Sequence, residues 1–436
     1  MGNHLSVFPV TAQDVVLSHL DVLDAKQLMC TNKFLLTQVR RSRRFWIEKA
    51  NALYEKDPFL FLRLKDPSVF PHDALVKHVC AADTQLQDTF GRIANGIAAE
   101  GAYQFEDEVH CMAVDEKACI LVVQLAGYLT RVFDLRRFGD PPLRALEGLW
   151  MTDIVVHGNI IFYRSPDDHM RFHADVFNWR VNLPMASLEP RWHDMALHLS
   201  KSDQFLIAYD RHNHCIRAYP LVTNGYERDS VAIYLPGGTT LHDMAVKDDV
   251  VMTILVDQSS SHLFKSFKVG TNAVQQQFTI RSPLYIMHSR ISYPFILLAH
   301  PPDASPRQCE AYRVNGPRMR EAYRVYGPRI RITGSDHRPF GDPSFLVLCA
   351  GERKSSIARR PTAGRPSQFI FVEDYPEEYT YICHVGEAGS PFLRTDAIFR
   401  SWPPDLFISF GLSVIYARRD LLIFRRYARR SDFVMT

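Results

Sequence analysis

Short apolar runs recur along this chain at a nearly constant interval, and this recurrence limits the possible folds more than any other feature. Three segments share a His-x-Met-Ala core: His110–Val114, His193–Leu197 and His242–Val246. Thr152–Val156 occupies the equivalent position between the first two segments. The four segments begin at residues 110, 152, 193 and 242, so their first residues are 42, 41 and 49 positions apart. Each start is followed by polar turns and further apolar runs. This pattern predicts a small antiparallel sheet in every unit.

Each unit contains a second and a third apolar run after its start. The clearest are Ile120–Val123 with Leu129–Leu135, Asn159–Tyr163 with Met170–Phe172, Phe205–Tyr209 with Cys215–Leu221, and Val250–Val256 with His262–Val269. Weaker starts at Tyr285, Ser344 and Asp405 bring the number of units to seven. Sheets that recur every ~40–50 residues are typical of β-propeller blades. One blade cannot bury both of its faces alone, whereas a ring of blades buries each face against a neighbour.

The sequence therefore predicts an all-β propeller of seven blades over residues 101–436. The blade that begins at Val109 resembles a WD repeat, because Phe133-Asp134 stands where that family has Trp-Asp. The dipeptide is absent from the other units, and no Gly-His pair precedes the strands. A pair of β-sandwiches is the alternative fold, but it would not explain the repeated His-x-Met-Ala.

Residues 8–46 have a different, helical pattern. An apolar-Pro pair opens the segment, apolar residues follow at helical spacing, an Asp interrupts them, and a second helical stretch with Cys and Lys ends at an aromatic pair. These features are Phe8-Pro9, then Val15, Val16, Leu20 and Leu23, then Asp24, then Leu28, Met29, Cys30, Lys33 and Phe34, and finally Phe45-Trp46. In this order the segment resembles an F-box.

The resemblance implies an F-box-like module over residues 5–54, followed by a helical linker over 55–100. It also implies a non-catalytic substrate receptor of a cullin-RING ubiquitin ligase, with a Skp-type adaptor, a cullin scaffold and a target protein as partners. The residues that it assigns to the adaptor contact are Phe8, Pro9, Leu17, Leu20, Leu28 and Trp46. The alternative is a helical cap that packs on the chain's own propeller. The full expectation is an α+β multidomain chain, with an all-α module and linker before the all-β propeller.

A basic region at about 305–366 interrupts the later units. Between Arg307 and Arg365 there are 13 lysines and arginines against 5 acidic residues, in a chain with a net charge of only +3. It contains a tandem duplication of eleven residues, Glu310–Arg320 and Glu321–Arg331, which predicts an extended ribbon or a long loop. Alternating arginine and tyrosine suit an acidic or phosphorylated peptide, or an RNA backbone. The candidate target-binding residues are Arg313, Arg324, Arg329 and Arg331.

Other classes of function find little support in the sequence. The eight cysteines form no C-x-x-C pair, and we found no nucleophile elbow, phosphate-binding loop or metal-binding motif. We therefore expect no cofactor or metal, a cytoplasmic or nuclear location, and no membrane-spanning segment. Gly2 fits the N-myristoylation pattern. Two alternatives remain open: a propeller scaffold tethered to a membrane through Gly2, and a basic propeller that binds RNA or another acidic ligand.

Overall fold

The computed structural model describes most of the chain after residue 39. It covers 39–56, 67–94 and 98–280 (without 116, 138–139, 167–171, 186–187, 189–198 and 224), the strands between 288 and 400, residues 406–410 and 413–427, and a few single residues before 39. The chain divides into two compact units. The helical unit comprises Met1–Ala99, Gly411–Ser413 and Arg426–Thr436, and the strand unit comprises Glu100–Phe410 and Val414–Arg425.

Among the described residues of the helical unit, the helices with defined bounds are α1 (Arg43–Lys56) and α2 (His72–Ala94), together with a short 3-10 helix, Pro67–Val69. Both helices have an apolar stripe at helical spacing, and the stripe is buried because the two helices pack together. The buried members are Phe45, Trp46, Ala50 and Leu53 on α1, and Leu75, Val79, Ala82 and Leu86 on α2. Arg43 Nη2 donates hydrogen bonds to the carbonyls of Ser68 (2.5 Å) and Phe70 (2.7 Å), which fixes the segment before α2 against α1.

Antiparallel sheets make up the strand unit, with strands numbered here in chain order. β1 is Ala99–Gln104. Sheet 1 contains β2 (Val109–Asp115), β3 (Ile120–Leu125), β4 (Leu129–Asp134) and β5 (Arg144–Glu147). Sheet 2 contains β6 (Thr152–His157), β7 (Ile160–Pro166), β8 (Phe172–Asn178) and β9 (Leu183–Met185). Sheet 3 contains β10 (Leu199–Lys201), β11 (Phe205–Asp210), β12 (Cys215–Val222), β13 (Gly225–Tyr226) and β14 (Val231–Tyr234).

Sheets 4 and 5 continue the same order. Sheet 4 contains β15 (Thr239–Lys247), β16 (Val250–Asp257), β17 (His262–Lys268) and β18 (Val274–Ile280). Sheet 5 contains β19 (His288–Ser292), β20 (Phe295–Ala299), β21 (Cys309–Arg313) and β22 (Ala322–Arg324). Two short ladders follow, β23 (Ile330–Ile332) with β25 (Leu348–Ala350) and β24 (Phe345–Leu346) with β26 (Ala358–Arg359).

The last two sheets lie at the end of the strand unit. Sheet 6 contains β27 (Phe369–Asp374), β28 (Tyr379–His384) and β29 (Leu393–Arg400). Sheet 7 contains β30 (Leu406–Phe410), β31 (Ser413–Arg418) and β32 (Leu421–Arg426), and β1 adds to it beside β32. Sheet 7 thus combines the two ends of the strand unit. β1 is the outer strand of this sheet, and its first two residues, 99 and 100, lie in the segment that the sequence assigns to the helical linker.

Successive sheets stack through their first strands. β30 contacts β2, β2 contacts β6, β6 contacts β10, β10 contacts β15, and β15 contacts β19. The apolar core follows the same order, because one buried cluster lies between each pair of neighbours from sheet 1 to sheet 5. Small sheets that bury their faces against the next sheet define a propeller-like architecture. This arrangement confirms the prediction of propeller-like stacking for the strand region.

The repeated His-x-Met-Ala has a specific place in the first strands. In β2 the pairing register with β3 shifts between Val109 and Cys111, and in β15 the register with β16 shifts between Leu241 and Asp243. The repeated histidine, His110 or His242, is therefore the extra residue of a β-bulge. The residue after it bonds to the next sheet: Cys111 Sγ donates to the Met151 carbonyl (3.4 Å), and Asp243 Oδ2 accepts from Ile291 N (2.7 Å). The third copy, at His193, lies outside the described residues.

Candidate protein-interaction surface

Most of the predicted adaptor residues lie outside the part of the chain that the structure describes. These are Phe8, Pro9, Leu17, Leu20 and Leu28, together with the candidate acylation site Gly2. Trp46 is described and lies in α1, with no exposed surface. Its Nε1 donates to the Val39 carbonyl (2.9 Å), and its ring packs edge-on against Phe45 at 5.0 Å between centroids. Trp46 would therefore support such a module from inside the helical unit rather than touch an adaptor.

The predicted target-binding arginines are distributed over two sheets. Arg313 ends β21 and Arg324 ends β22, which are neighbouring strands of sheet 5, and the register places Arg324 opposite Glu310. Arg331 lies in β23, opposite Cys349 of β25, and Arg329 lies outside the described residues. The two copies of the duplication thus supply the third and fourth strands of a regular sheet, and a separate ladder begins at the end of the second copy. The assignment of these arginines to a target stays a prediction.

A different surface emerges at one edge of sheet 1. Three rings lie together there, which we call the aromatic cluster: His110 at the start of β2, Tyr128 in the β3–β4 turn, and Trp150 in the β5–β6 connection. The ring centroids of Tyr128 and Trp150 are 5.0 Å apart, and so are those of His110 and Trp150. The register explains their meeting, because Val109 lies opposite Leu125 and Leu129 lies opposite Glu147. The start of β2, the turn between β3 and β4, and the end of β5 therefore lie at the same edge of sheet 1.

The aromatic cluster faces solvent. Tyr128 is 55 % exposed, His110 is exposed, and Trp150 is half-buried. The rings are tilted by 52° (Tyr128 and Trp150) and 38° (His110 and Trp150), so they do not cover one another as a parallel stack would. Exposed aromatic groups of this kind are enriched in protein interfaces.

Two hydrogen bonds hold the segment that carries Trp150. Gln124 Nε2 donates to the Leu149 carbonyl (3.1 Å), and Cys111 Sγ donates to the Met151 carbonyl (3.4 Å). Gln124 is fully buried and is itself oriented by Thr130 Oγ1, which donates to Gln124 Oε1 at 2.6 Å. The backbone on both sides of Trp150 is thus anchored to sheet 1. The backbone position of Trp150 is therefore set by the fold.

The turn that carries Tyr128 is equally constrained. Tyr128 has φ 61°, a left-handed conformation that is unusual for a bulky residue. Beside it, the Asp107 carboxylate packs against Gly127: a Cβ there would lie 2.4 Å from Asp107 Oδ2, so a larger residue would require the Asp107 side chain to move. Ala126 N donates to the Glu108 carbonyl at 2.9 Å, which joins the turn to the segment before β2. The turn presents the Tyr128 ring and at the same time packs against acidic residues.

Those acidic residues form a short run, Glu106-Asp107-Glu108. Glu106 and Glu108 are exposed, and Asp107 is half-buried against the turn. Three carboxyl groups therefore lie in the segment next to the aromatic cluster. These carboxylates contribute negative charge to this edge of sheet 1.

A buried ion pair joins the first three sheets at a different place. Lys201 Nζ of β10 lies 3.3 Å from Asp115 Oδ2 of β2, and both side chains are almost completely buried. Asp115 Oδ2 also accepts from Gly158 N (2.6 Å), and Oδ1 accepts from Lys117 N (3.0 Å) and Ala118 N (3.1 Å). Burial raises the pKa of Asp115, but the Lys201 ammonium and these N–H donors outweigh it and hold the pKa below its usual range. With its acceptors satisfied, this site stabilises the contact between sheets.

His157 lies at the edge of the same network. Its Nε2 is 2.9 Å from the Val222 carbonyl. Burial lowers its pKa, and the nearby Lys201 charge adds to this, so the imidazole is neutral at pH 7. The site therefore carries one ion pair and one neutral histidine between three sheets.

Metal sites and membrane-spanning helices are both absent from the described part of the chain. No group of three or more His, Cys, Asp or Glu side chains there could hold a metal ion. None of the helices within those residues has the length and apolar content needed to cross a membrane.

Sequence reasoning did not find the aromatic cluster, and only a weak signal pointed to it. Tyr128 follows Gly127 in a turn between two apolar runs, and Trp150 stands just before the Thr152 start, so both are aromatic residues at predicted strand ends. His110 belongs to the repeated His-x-Met-Ala, which predicts the start of a strand. The three residues are separated along the chain, and only strand pairing brings their side chains together.

Comparison with solved structures finds many matches, of which one is described here. The chain is similar to the β-propeller domain of Cps50 (Swd1) from Myceliophteria thermophila, with 10 % sequence identity, a TM-score of 0.45, and coverage of 75 % of this chain and 99 % of that domain. No protein-family model matches the chain, and no curated protein sequence does.

Proposed function

We propose that this protein is a non-catalytic interaction receptor in which the strand unit holds a target protein. The observation that carries the proposal is the aromatic cluster, a preorganised and exposed group of rings at one edge of stacked sheets. Large rigid rings contribute contact area at a small cost in conformational entropy, and they dominate many protein interfaces. Stacked sheets suit this role because their cores are rigid and their connections are free to vary.

The proposal includes a ring of seven blades. Sheets 1 to 7 would be the blades, and β1 would complete the last of them. This count is supported by the seven sheets of three or more strands within the described residues, and by the contacts between their first strands from β30 to β19. A strand from the beginning of the unit that pairs with the last sheet would close such a ring and leave only short edges.

The N-terminal module would connect this receptor to a ubiquitin ligase. Its support is the resemblance of residues 8–46 to an F-box, together with α1 and its buried Trp46 at the end of that segment. A Skp-type adaptor would bind Phe8, Pro9, Leu17, Leu20 and Leu28, and a cullin scaffold would bind the adaptor. The chain itself would catalyse no reaction and would act by proximity, because it raises the local concentration of target lysines near the charged conjugating enzyme.

Co-purification with a Skp-type adaptor tests the ligase part directly. The full-length chain is compared with a Phe8→Ala/Leu20→Ala variant and with a Val69→Ala control, since Val69 is a 73 % exposed apolar residue in the 3-10 helix of the same unit. We expect a stoichiometric complex with the wild type and the control, and its loss in the double variant. Folded wild-type protein that captures no adaptor would contradict the proposal.

A further inference from the structure

We propose that the aromatic cluster and the acidic run Glu106–Glu108 recognise a basic segment of a partner protein through an arginine or lysine side chain. This inference rests on the proposed function only in that the strand unit is taken to hold the target. It adds the chemical class of the segment that is recognised. It also differs from the expectation for the basic region, because there the ligand would be acidic.

The rings have the arrangement that a cation needs. A cation is attracted to the face of Trp, Tyr or Phe when it lies within about 6 Å of the ring centroid. The ring centroids of Tyr128 and His110 each lie 5.0 Å from the centroid of the Trp150 ring, and the rings are tilted rather than stacked. Rings at this distance leave no space between them, so a guanidinium or ammonium group would lie over the exposed ring of Tyr128, beside Trp150.

The charges around the rings favour the same ligand. The Asp107 carboxylate lies against Gly127, next to Tyr128, and Glu106 and Glu108 are exposed in the same segment. Carboxylates beside aromatic faces attract a cation and repel an anion, so the surface discriminates by the sign of charge. An arginine can also form hydrogen bonds with a carboxylate while its plane lies on a ring.

The backbone around the cluster is held in place and partly strained. Trp150 lies between the anchored carbonyls of Leu149 and Met151, and Tyr128 is held in a left-handed conformation that Gly or Asn would adopt at lower cost. Where a bulky ring is kept at such a position, a functional reason is a reasonable hypothesis. Because the rings are ordered in advance, little conformational entropy is lost on binding.

Peptide binding to the full-length chain tests the inference. The probes are labelled twelve-residue Gly-Ser peptides that carry two arginines, two lysines, two trimethyllysines, two glutamines or two glutamates, and the readout is fluorescence anisotropy at low and at physiological salt. We expect at least one cationic peptide to bind about tenfold or more tightly than the glutamine peptide, and the glutamate peptide to bind most weakly. The order among the three cationic peptides shows which cation is preferred.

Substitutions test whether the cationic peptide binds at the aromatic cluster and the acidic run. We expect Trp150→Ala to weaken the cationic peptide about tenfold, and Glu106→Gln/Glu108→Gln to weaken it severalfold, mainly at low salt. Tyr128→Gly should also weaken binding, and it removes the ring without straining the turn because glycine favours the left-handed conformation. The matched controls are Tyr234→Ala, a 69 % exposed tyrosine of β14, and Glu227→Gln/Asp229→Asn, two exposed carboxylates; both should bind as the wild type does.

The outcomes separate this inference from the proposed function. Equal binding of the arginine, lysine, trimethyllysine and glutamine peptides would overturn it, and so would tightest binding of the glutamate peptide or unchanged binding by Trp150→Ala and Tyr128→Gly. Each of these results can occur while the chain still captures a Skp-type adaptor. Conversely, loss of adaptor capture with intact peptide binding would contradict only the ligase part of the proposed function.

Discussion

At the scale of single residues, Asp115 has the most constrained environment in the first three sheets. One carboxylate accepts three backbone N–H groups and pairs with Lys201, although neither side chain reaches solvent to any extent. Burying a charge costs free energy unless its partners are all in place. The removal of one partner should therefore change the free energy of unfolding strongly, because it leaves the other charge buried without a counter-charge.

We predict that Asp115→Asn lowers the free energy of unfolding by about 3–5 kcal/mol, because it leaves the Lys201 ammonium buried without its counter-charge. Urea denaturation at pH 7 measures the change. The double variant Asp115→Asn/Lys201→Met should recover a large part of the loss, since the unpaired charge is then absent. A loss below about 1 kcal/mol in the single variant would show that the pair is not important for stability.

The pH dependence of the same site gives an independent check. Because the folded-state pKa of Asp115 is lowered, its contribution to stability is complete above the unfolded-state value of about 3.9 and is lost as the pH falls toward the folded-state pKa. The difference between the wild type and Asp115→Asn should consequently be largest at neutral pH and shrink below about pH 4. A difference that stays constant from pH 7 to pH 3 would contradict this account.

At the scale of strands and sheets, the β-bulge in the first strand explains the sequence repeat. The bulge shifts the register after His110 or His242, and the following side chain then bonds to the neighbouring sheet. Cys111 and Asp243 are chemically different, yet both make this contact. The repeat is thus a repeated connection between sheets and need not mark a ligand site.

Asp243→Ala is predicted to loosen the contact between sheets 4 and 5. Asp243 is fully buried, and removal of its carboxylate leaves the Ile291 N–H without this acceptor, at a cost of about 1–3 kcal/mol. Hydrogen exchange followed by mass spectrometry should show faster exchange in β19. Asp243→Asn retains an acceptor oxygen and serves as the control. Unchanged exchange in the alanine variant would mean that other contacts hold the two sheets together.

The elements differ in how well their sequence predicted them. The second and third strands of sheets 1, 3 and 4 begin where the apolar runs begin, at Ile120, Leu129, Phe205, Cys215, Val250 and His262. The second strands, β3, β11 and β16, are buried on both faces, so they read as continuous apolar runs. The fourth strands were not predicted. β5 and β9 are mostly exposed, and their alternation is too short and too polar to stand out from a loop.

At the scale of the whole strand unit, β1 and the residues after it join sheet 1 to sheet 7. Phe105 N donates to the Asp420 carbonyl (2.8 Å), and Val109 N donates to the Arg419 carbonyl (2.7 Å). The Phe105 ring is buried against Tyr103 (4.9 Å between centroids) and Phe133 (6.1 Å). This group of contacts links residues that are more than 300 positions apart in sequence.

We therefore predict that Phe105→Ala lowers the free energy of unfolding by about 3–5 kcal/mol, through lost packing and the cavity that remains. Its local effect should be faster hydrogen exchange in both β1 and β32, although only β1 is near the substitution in sequence. Phe105→Leu is the control, because it keeps most of the apolar volume. A substitution that affects β1 alone would contradict the connection between the two ends of the unit.

The sequence by itself determined the stacked sheets and the order of their inner strands, because buried strands leave apolar runs at a regular interval. It also predicted the helical segment after residue 72, whose stripe of Leu75, Val79 and Leu86 is buried. The tertiary structure alone decided which strand completes sheet 7, where Trp46 lies, and that His110, Tyr128 and Trp150 meet. Local periodicity reports whether a residue is buried, but it does not report which distant strand end is its neighbour. That choice depends on strand register and on the packing of whole sheets, which no short segment of sequence contains.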